Sequence, residues 1–388
     1  MLEEKLLPQT SEVDPAALEV EVINDLERFN AIAAEWDELV DRSGIERLFV
    51  SHAWLRTWWE AFGGDRELYV LTVRSRRALI GAAPMMRSNK GLYGLRVKSI
   101  ESIYNSHTPR FDFVVEKGCG DAVYRAIWDH LQRSDCDMVV LTQLPEDSST
   151  LAAFEQLAED EGWLSGQWVA PRSPHIPLNC TYEELLGRLK GGYRYNLRKR
   201  YERLSKLGTI DVEVISEKNR VREAAQEGLR IEAAAWKGQQ GTAIISDPAA
   251  TEFYTRFAER QADVGQLRLS FLRMGGKRIS FSYILCSDRK LYGVKIGYDP
   301  KYHTYSPGNM LLNLVLQDAC ASHLLEYDFL GVDDEWKLDW TKCSRGHRWL
   351  FLFRNRFRPR LLHYLKFNVV PTIKPQLGRL CTSLGYRV

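Results

Sequence analysis

No apolar run in the 388 residues approaches the roughly 20 needed to cross a bilayer. The N-terminus, MLEEKLLPQTSEVD, has no basic region ahead of a long apolar stretch, so it does not read as a secretory signal. Cysteines are few and solitary: seven, at 119, 136, 180, 286, 320, 343 and 381, with no C-x-x-C pair. An odd, scattered set argues against a zinc site and against a disulfide framework, and fits a reducing, cytoplasmic setting. The histidines and cysteines show no metal-ligand spacing, so no metal is expected. RMGGKR lacks the Gly-Lys-Ser/Thr of a phosphate loop and reads as a turn.

What is present is the composition of a globular protein, 45% hydrophobic and 27% charged, with length for two to three domains. The net charge of +2 hides an asymmetry. Acidic residues stop at Asp339, and eleven Lys or Arg follow, from Lys342 to Arg387. The chain before that point carries 42 basic and 51 acidic residues, a net of −9. The basic end also holds Trp349, Phe351, Phe353, Phe357, Tyr364 and Phe367. Such an end suits an anionic membrane surface, a nucleic acid or an anionic substrate. The alternative is a final strand and helix packed on the body, since WLFLF reads as a buried strand.

Residues 1–20 are polar and expected to be frayed. From 21 to 173 the pattern is an α/β domain: a Trp-rich helix with Trp54, Trp58 and Trp59, a strand-turn-strand from Glu67 to Met86, the strand RFDFVVE, and the buried strand MVVLTQL between two helices. A second domain, 174–345, repeats that order. Its hairpin, Gln266 to Leu285, matches the first-domain hairpin at a separation close to 200 residues, which points to a duplicated domain. Residues 346–388 form the basic aromatic strand and helix.

The most informative segment, Gly293 to Trp340, reads as strand, loop, helix, strand and a loop carrying Lys337. Ser306 suits an N-cap and Pro307 the first helical position. Gly308 and Asn309 leave the first turn slim, with backbone N–H groups directed forward. Tyr305 to Met310 is therefore the candidate seat for a phosphate-bearing cofactor, and an ordinary well-capped helix is the plain alternative. Glu232 and Asp328 are candidate proton acceptors, against the readings of a solvated helical charge and a structural hydrogen-bonding carboxylate. Lys337, the third candidate catalytic residue, lies at a strand end, where ligands of α/β folds gather, and its cation could neutralise a phosphate or carboxylate, against the reading of a surface lysine. Arg194 and Arg198, one turn apart, suit a shared anion, or a solvated charged face. His107 and Asp112 could pair as a base and its orienting carboxylate, although no nucleophile accompanies them.

Taken together, AWLRTWWEAFG, the helix RYNLRKRYERL, Glu232 to Lys237 (E…WK), Tyr298-Asp299, Ser306-Pro307-Gly308 with Leu311, and Asp328, Gly331, Trp336-Lys337 and Trp340 resemble the GNAT superfamily of N-acyltransferases. The match is to the CelD-type group, which shares a tandem layout with Fem-type aminoacyltransferases, and it spans roughly residues 30–350. The resemblance implies two tandem GNAT-like domains, each a mixed β-sheet flanked by helices. It also implies an acyl-CoA donor, acetyl or longer, held by the second domain, with the first shaping the acceptor site. The acceptor would be an amino sugar or nucleotide sugar, or an amine-bearing lipid such as a sphingoid base. Tyr298 and Trp336 join Arg194, Arg198, His107 and Asp112 as substrate-side residues. The chain departs from the group in two places. Trp336 replaces a Tyr, which removes a phenol acid there. The Q/R-x-x-G-x-G/A pyrophosphate loop is absent, which leaves the thioester donor open. Rival readings are an aminoacyl-tRNA-dependent Fem-type enzyme and a non-catalytic binding protein. The long helical hairpin of the former is not visible, and specific nucleic-acid binding is not expected.

Overall fold

The computed structural model describes residues 17–234 and 244–372. Residues 1–16, Trp236-Lys237 of the E…WK segment, and the tail beyond 372 lie outside the described residues, whereas Leu18–Val20, expected to be frayed, belong to a strand that begins at Leu18. The chain divides into two compact units, one of residues 1–56, 65–169 and 348–388, the other of 57–64 and 170–347.

In chain order the strands of the first unit are β1 (Leu18–Ile23), β2 (Glu67–Ser75), β3 (Ala78–Leu92), β4 (Leu95–Ser102), β5 (Val114–Val115), β6 (Met138–Pro145) and β7 (Leu164–Val169). Those of the second are β8 (Ser173–Pro177), β9 (Ile210–Ile215), β10 (Leu267–Met274), β11 (Lys277–Ser287), β12 (Lys290–Tyr298), β13 (Glu326–Asp328) and β14 (Ser344–Arg345). A last strand, β15 (His347–Phe353), returns to the first sheet. The helices are α1 (Leu26–Ala31), α2 (Ala33–Ser43), α3 (His52–Phe62), α4 (Gly120–Arg133), α5 (Ser149–Asp160), α6 (Tyr182–Arg188), α7 (Gly191–Ser205), α8 (Lys218–Ala233), α9 (Pro248–Asp263), α10 (Pro307–Ala321), α11 (Glu335–Leu338) and α12 (Phe357–Tyr364).

The first sheet runs β1-β2-β3-β4-β6-β15-β7, with β5 beside β3. β15 shows why WLFLF is apolar without a break. Leu350 and Leu352 enter the main core with Trp128 and Phe154, while Phe351 and Phe353 enter a second cluster with Val97 and Met138. A strand buried on both faces needs apolar side chains at successive positions, not alternate ones. On α4, Val123, Tyr124, Ile127, Trp128 and Leu131 form the buried stripe at helical spacing.

The second sheet runs β14-β8-β13-β12-β11-β10-β9, antiparallel from β9 to β12 and parallel between β12 and β13. The first sheet thus takes β15 from beyond its own contiguous stretch, whereas all seven strands of the second lie within residues 170–347. The internal duplication is visible in the hairpins. β2–β3 shifts register at Val73/Arg74 and β10–β11 at Leu272/Arg273. Their turns place Arg76-Arg77 and Gly275-Gly276, respectively, at positive φ. Two successive left-handed residues match the twist of a two-residue hairpin. Among the described residues no helix is long and apolar enough to cross a membrane.

Candidate functional site

The second sheet opens along β12. Pairing with β13 covers only Lys290–Tyr292 against Glu326–Asp328, although β12 continues to Tyr298. On its other side β12 carries a bulge: Ile284 pairs with Gly293 and Tyr283 with Lys295, which leaves Val294 as the extra residue. A bulge bends and twists its strand. Beyond Asp328, Leu330 and Gly331 turn the chain away at φ of 53° and 59°. The half of β12 from Gly293 onward therefore parts from β13, and its backbone polar groups on that side face away from a ladder. Where the strands separate, a Cβ on Gly293 would stand 2.3 Å from the Tyr327 hydroxyl.

At the end of β12 the chain enters a 3-10 turn, Pro300–Tyr305, and then α10. Asp299 caps the turn by accepting from the Lys301 amide at 3.0 Å. Burial pushes the Asp299 carboxyl up, but Lys277 and the Lys301 amide outweigh that and hold it below the ordinary range. Ser306 departs from the N-cap expected of it. It sits in the left-handed region at φ 50°, and its hydroxyl makes no capping bond. Its backbone is spent on linking two helical segments, so the amides of Gly308 and Asn309 lack the usual side-chain acceptor. Pro307, Gly308 and Met310 are buried, and Gly308 lies over Ile296 and Tyr298. Asn309 accepts from the Trp340 indole at 3.1 Å, and Trp340 meets the Tyr193 ring edge-on at 5.5 Å.

Tyr193 was not singled out by sequence reasoning. Its hydroxyl is buried without a hydrogen-bond partner among the described residues, and burial pushes it well above the ordinary tyrosine range, with Asp339 adding and Arg200 opposing. A buried orphan hydroxyl needs an explanation. The only sequence signal was its place one residue before Arg194. That helix, α7, buries only Leu204, and it exposes Arg194 and Arg198. Arg194 donates to the Leu186 carbonyl, Arg198 pairs with Glu202 at 3.6 Å, and Arg203 covers the Tyr305 ring at 5.4 Å.

On the opposite face of β12, α8 makes a close approach. A Cβ on Gly297 would lie 2.4 Å from the Glu232 Cα, and one on Gly228 would lie 2.2 Å from the Phe281 ring. Glycine at both positions lets helix and sheet backbones meet. Glu232 is 2% exposed, and its carboxylate accepts from the Ile244 amide at 3.4 Å. Lys295, also missed in the sequence, shares this face. Its ammonium stands 5.1 Å from the Tyr254 ring, and burial lowers its pKa while Glu232 opposes that. A glutamate and a lysine about 60 positions apart carry no local pattern that would pair them.

Asp328 is fully buried. It accepts from the Leu330 amide at 2.8 Å, from the Ser173 hydroxyl at 3.3 Å and from Arg345 at 2.8 Å. Arg345 also binds Glu326. Lys337 donates to the Leu330 and Val332 carbonyls at 3.1 and 2.6 Å and pairs with Asp334 at 3.2 Å. Trp336 stands edge-on to Phe329 at 5.5 Å. These residues hold the turn that carries the chain away from β12. His107 and Asp112 belong to the first unit. Burial raises the Asp112 carboxyl to about 6, against the pull of the Thr150 and Ser148 hydroxyls and the Phe113 amide. The structure thus brings Asp328, Lys337, Trp336, Tyr298, Glu232 and the α10 start into the second unit, and leaves His107 and Asp112 in the first.

Residues 191–338 match the family model described as an acetyltransferase (GNAT) domain. No curated protein matches the chain in sequence. Among solved structures, the crystal structure of FemX aligns with a TM-score of 0.58 at 12% identity, over 90% of this chain and 99% of that one. L-PGS from Bacillus licheniformis aligns at 0.51 and 13% identity, over 87% of this chain and 95% of that one. The C-terminal domain (DUF2156) of a putative lysylphosphatidylglycerol synthetase from Agrobacterium fabrum aligns at 0.50 and 12%, over 86% and 95%. Residues 191–338 thus match a GNAT domain, and the chain as a whole shares the fold of FemX, in keeping with the α/β fold that the sequence resemblance implied.

Proposed function

We propose that the second unit transfers an acyl group from a CoA-type thioester to a primary amine. The observation that carries this reading is the parting of β12 from β13 beyond Tyr292, with the first turn of α10 at the far end of the open half. Donor phosphates sit at the Tyr305–Met310 helix start on the amides of Gly308 and Asn309, with Arg194 and Arg198 supplying cations and the Tyr193 hydroxyl an unspent hydrogen-bonding group. The thioester carbonyl lies along the open edge of β12, where a strand N–H faces the oxygen that becomes an oxyanion. The neutral amine attacks the carbonyl carbon, the C–S bond breaks, and the thiolate leaves and is protonated, giving an amide and free CoA thiol. Glu232, buried beside Lys295, takes the proton that the acceptor ammonium must lose. Asp328 and Lys337 act as positioning residues, because their polar atoms hold the turn beyond β13. The acceptor is an amino sugar, a nucleotide amino sugar or a long-chain amino alcohol.

An aminoacyl-tRNA donor is the second reading, favoured by the FemX likeness and by the exposed tyrosines and arginines of α7. The discriminating assay follows thiol release from acetyl-CoA and longer acyl-CoAs with each class of amine. Amine-dependent release that falls at least about 100-fold in Glu232→Gln supports the proposal. Turnover only with charged tRNA moves the donor to the second reading. Ligand binding without transfer from either donor leaves a binding protein.

A further inference from the structure

Helix α12 and the π-helical turn that continues it, Leu365–Val369, bury the wrong side chains for an ordinary surface helix. The face turned to the first sheet carries Pro359, Leu362 and Lys366. Lys366 is only 6% exposed, and its ammonium is boxed by aromatic rings, 3.5 Å from the Trp168 centroid and 4.0 Å from that of Phe351. The face turned to solvent carries Phe357, Leu361 and Tyr364, which are 84, 38 and 58% exposed. These three lie at i, i+4 and i+7, one stripe of a helix. Arg356, Arg358 and Arg360 are exposed beside the stripe. Asp135, the carboxylate that feels Arg354 and Arg356, is itself paired with Lys98. No acidic residue follows in the sequence.

We propose that this face docks on an anionic lipid bilayer, with the ring of Phe357 and the side chains of Leu361 and Tyr364 entering the headgroup region and the three arginines on lipid phosphates. Charge decides the occupant. A second copy of the same face would bring like guanidinium groups together across a two-fold axis. A nucleic acid would meet the arginines, but it leaves Leu361 and the depth of the stripe unused, since strand binding relies on flat rings for stacking. A bilayer uses both, because cations gather at its anionic surface while aromatic and aliphatic side chains enter the interface. The tyrosine, apolar with a polar tip, suits the same depth. This inference stands apart from the acyl-transfer chemistry, since it concerns only the first unit.

The test is flotation of the full-length protein with phosphatidylcholine vesicles, with and without about 30% phosphatidylglycerol. The expected result is binding to the anionic vesicles only. It weakens about tenfold or more in Phe357→Ser/Leu361→Ser and about fivefold for each arginine removed in Arg358→Gln/Arg360→Gln. Both variants keep the wild-type circular dichroism and unfolding temperature, because the altered side chains are exposed. The proposal is overturned if the wild type floats with neither vesicle, or if the variants float as it does. It is equally overturned if an oligonucleotide binds at this face and displaces the vesicles, or if Phe357→Ser abolishes a dimer instead of vesicle binding.

Discussion

Gly297→Ala is the substitution whose sign the geometry decides. Gly297 lies in a strand, with no positive φ to strain a side chain, so adding a methyl would by itself stiffen the unfolded chain and stabilise by about 0.4–1 kcal/mol. The methyl, however, would lie 2.4 Å from the Glu232 Cα, 2.8 Å from its N and 2.9 Å from its Cβ. Carbon atoms pack at about 3.5 Å or more, and a helix backbone cannot rotate aside, so α8 must retreat by about 1 Å. Overpacking of that size costs about 1–3 kcal/mol. The net loss, about 1–2 kcal/mol, lowers the unfolding temperature by roughly 3–6 °C for a unit of this size. The same retreat moves Glu232 off the open half of β12 and lowers turnover by about 100-fold. Gly187→Ala is the matched control. It lies in α6 with nothing within 4 Å of its added Cβ, so it should stabilise by about 0.5–1 kcal/mol. Differential scanning calorimetry on both variants reads the two signs. If Gly297→Ala is neutral or stabilising, the close approach of α8 and β12 is wrong, and with it the placement of Glu232.

Asp112→Asn probes the first unit through pH. The folded-state pKa of Asp112 is raised from 3.8 to about 6, so the fold favours its protonated form. Its contribution is full below about pH 4 and is lost as pH rises through about 6, a swing of about 3 kcal/mol. Asp112→Asn should therefore raise the unfolding temperature at pH 7 and leave it unchanged near pH 4; equal effects at both would remove burial as the cause. Asp328→Ala should cost the second unit about 3–5 kcal/mol in urea unfolding, because it leaves the buried Leu330 amide and Ser173 hydroxyl without that acceptor and removes one of the two carboxylates that Arg345 binds. A wild-type midpoint for that variant would mean that Asp328 serves chemistry and not the turn.

The order of elements was legible in the sequence because it rests on local periodicity. The two hairpins and the helix after Tyr298-Asp299 lie where alternation and turn residues put them. Pairings across the chain were not legible. Arg345 meets Asp328 only because β14 and β13 flank β8, and Lys295 meets Glu232 only because two glycines let α8 lie on the sheet. Ser306 looked like a cap by residue type, yet the turn before it required its backbone to be left-handed and took its side chain out of position. Lys337 was read as a ligand for an anion, but carbonyls of the turn it faces are closer partners. The basic tail was legible as charge, while the inverted face of α12 appeared only once burial separated Lys366 from Phe357.

The central claim is a thioester donor seated between the start of α10 and the open half of β12. Isothermal titration calorimetry of the full-length protein with acetyl-CoA and a long-chain acyl-CoA tests it most directly. The account predicts saturable binding of at least one of them at one site per chain, weakened by about tenfold in Arg194→Gln/Arg198→Gln. No heat of binding with any CoA thioester, or binding untouched by that variant, would contradict it.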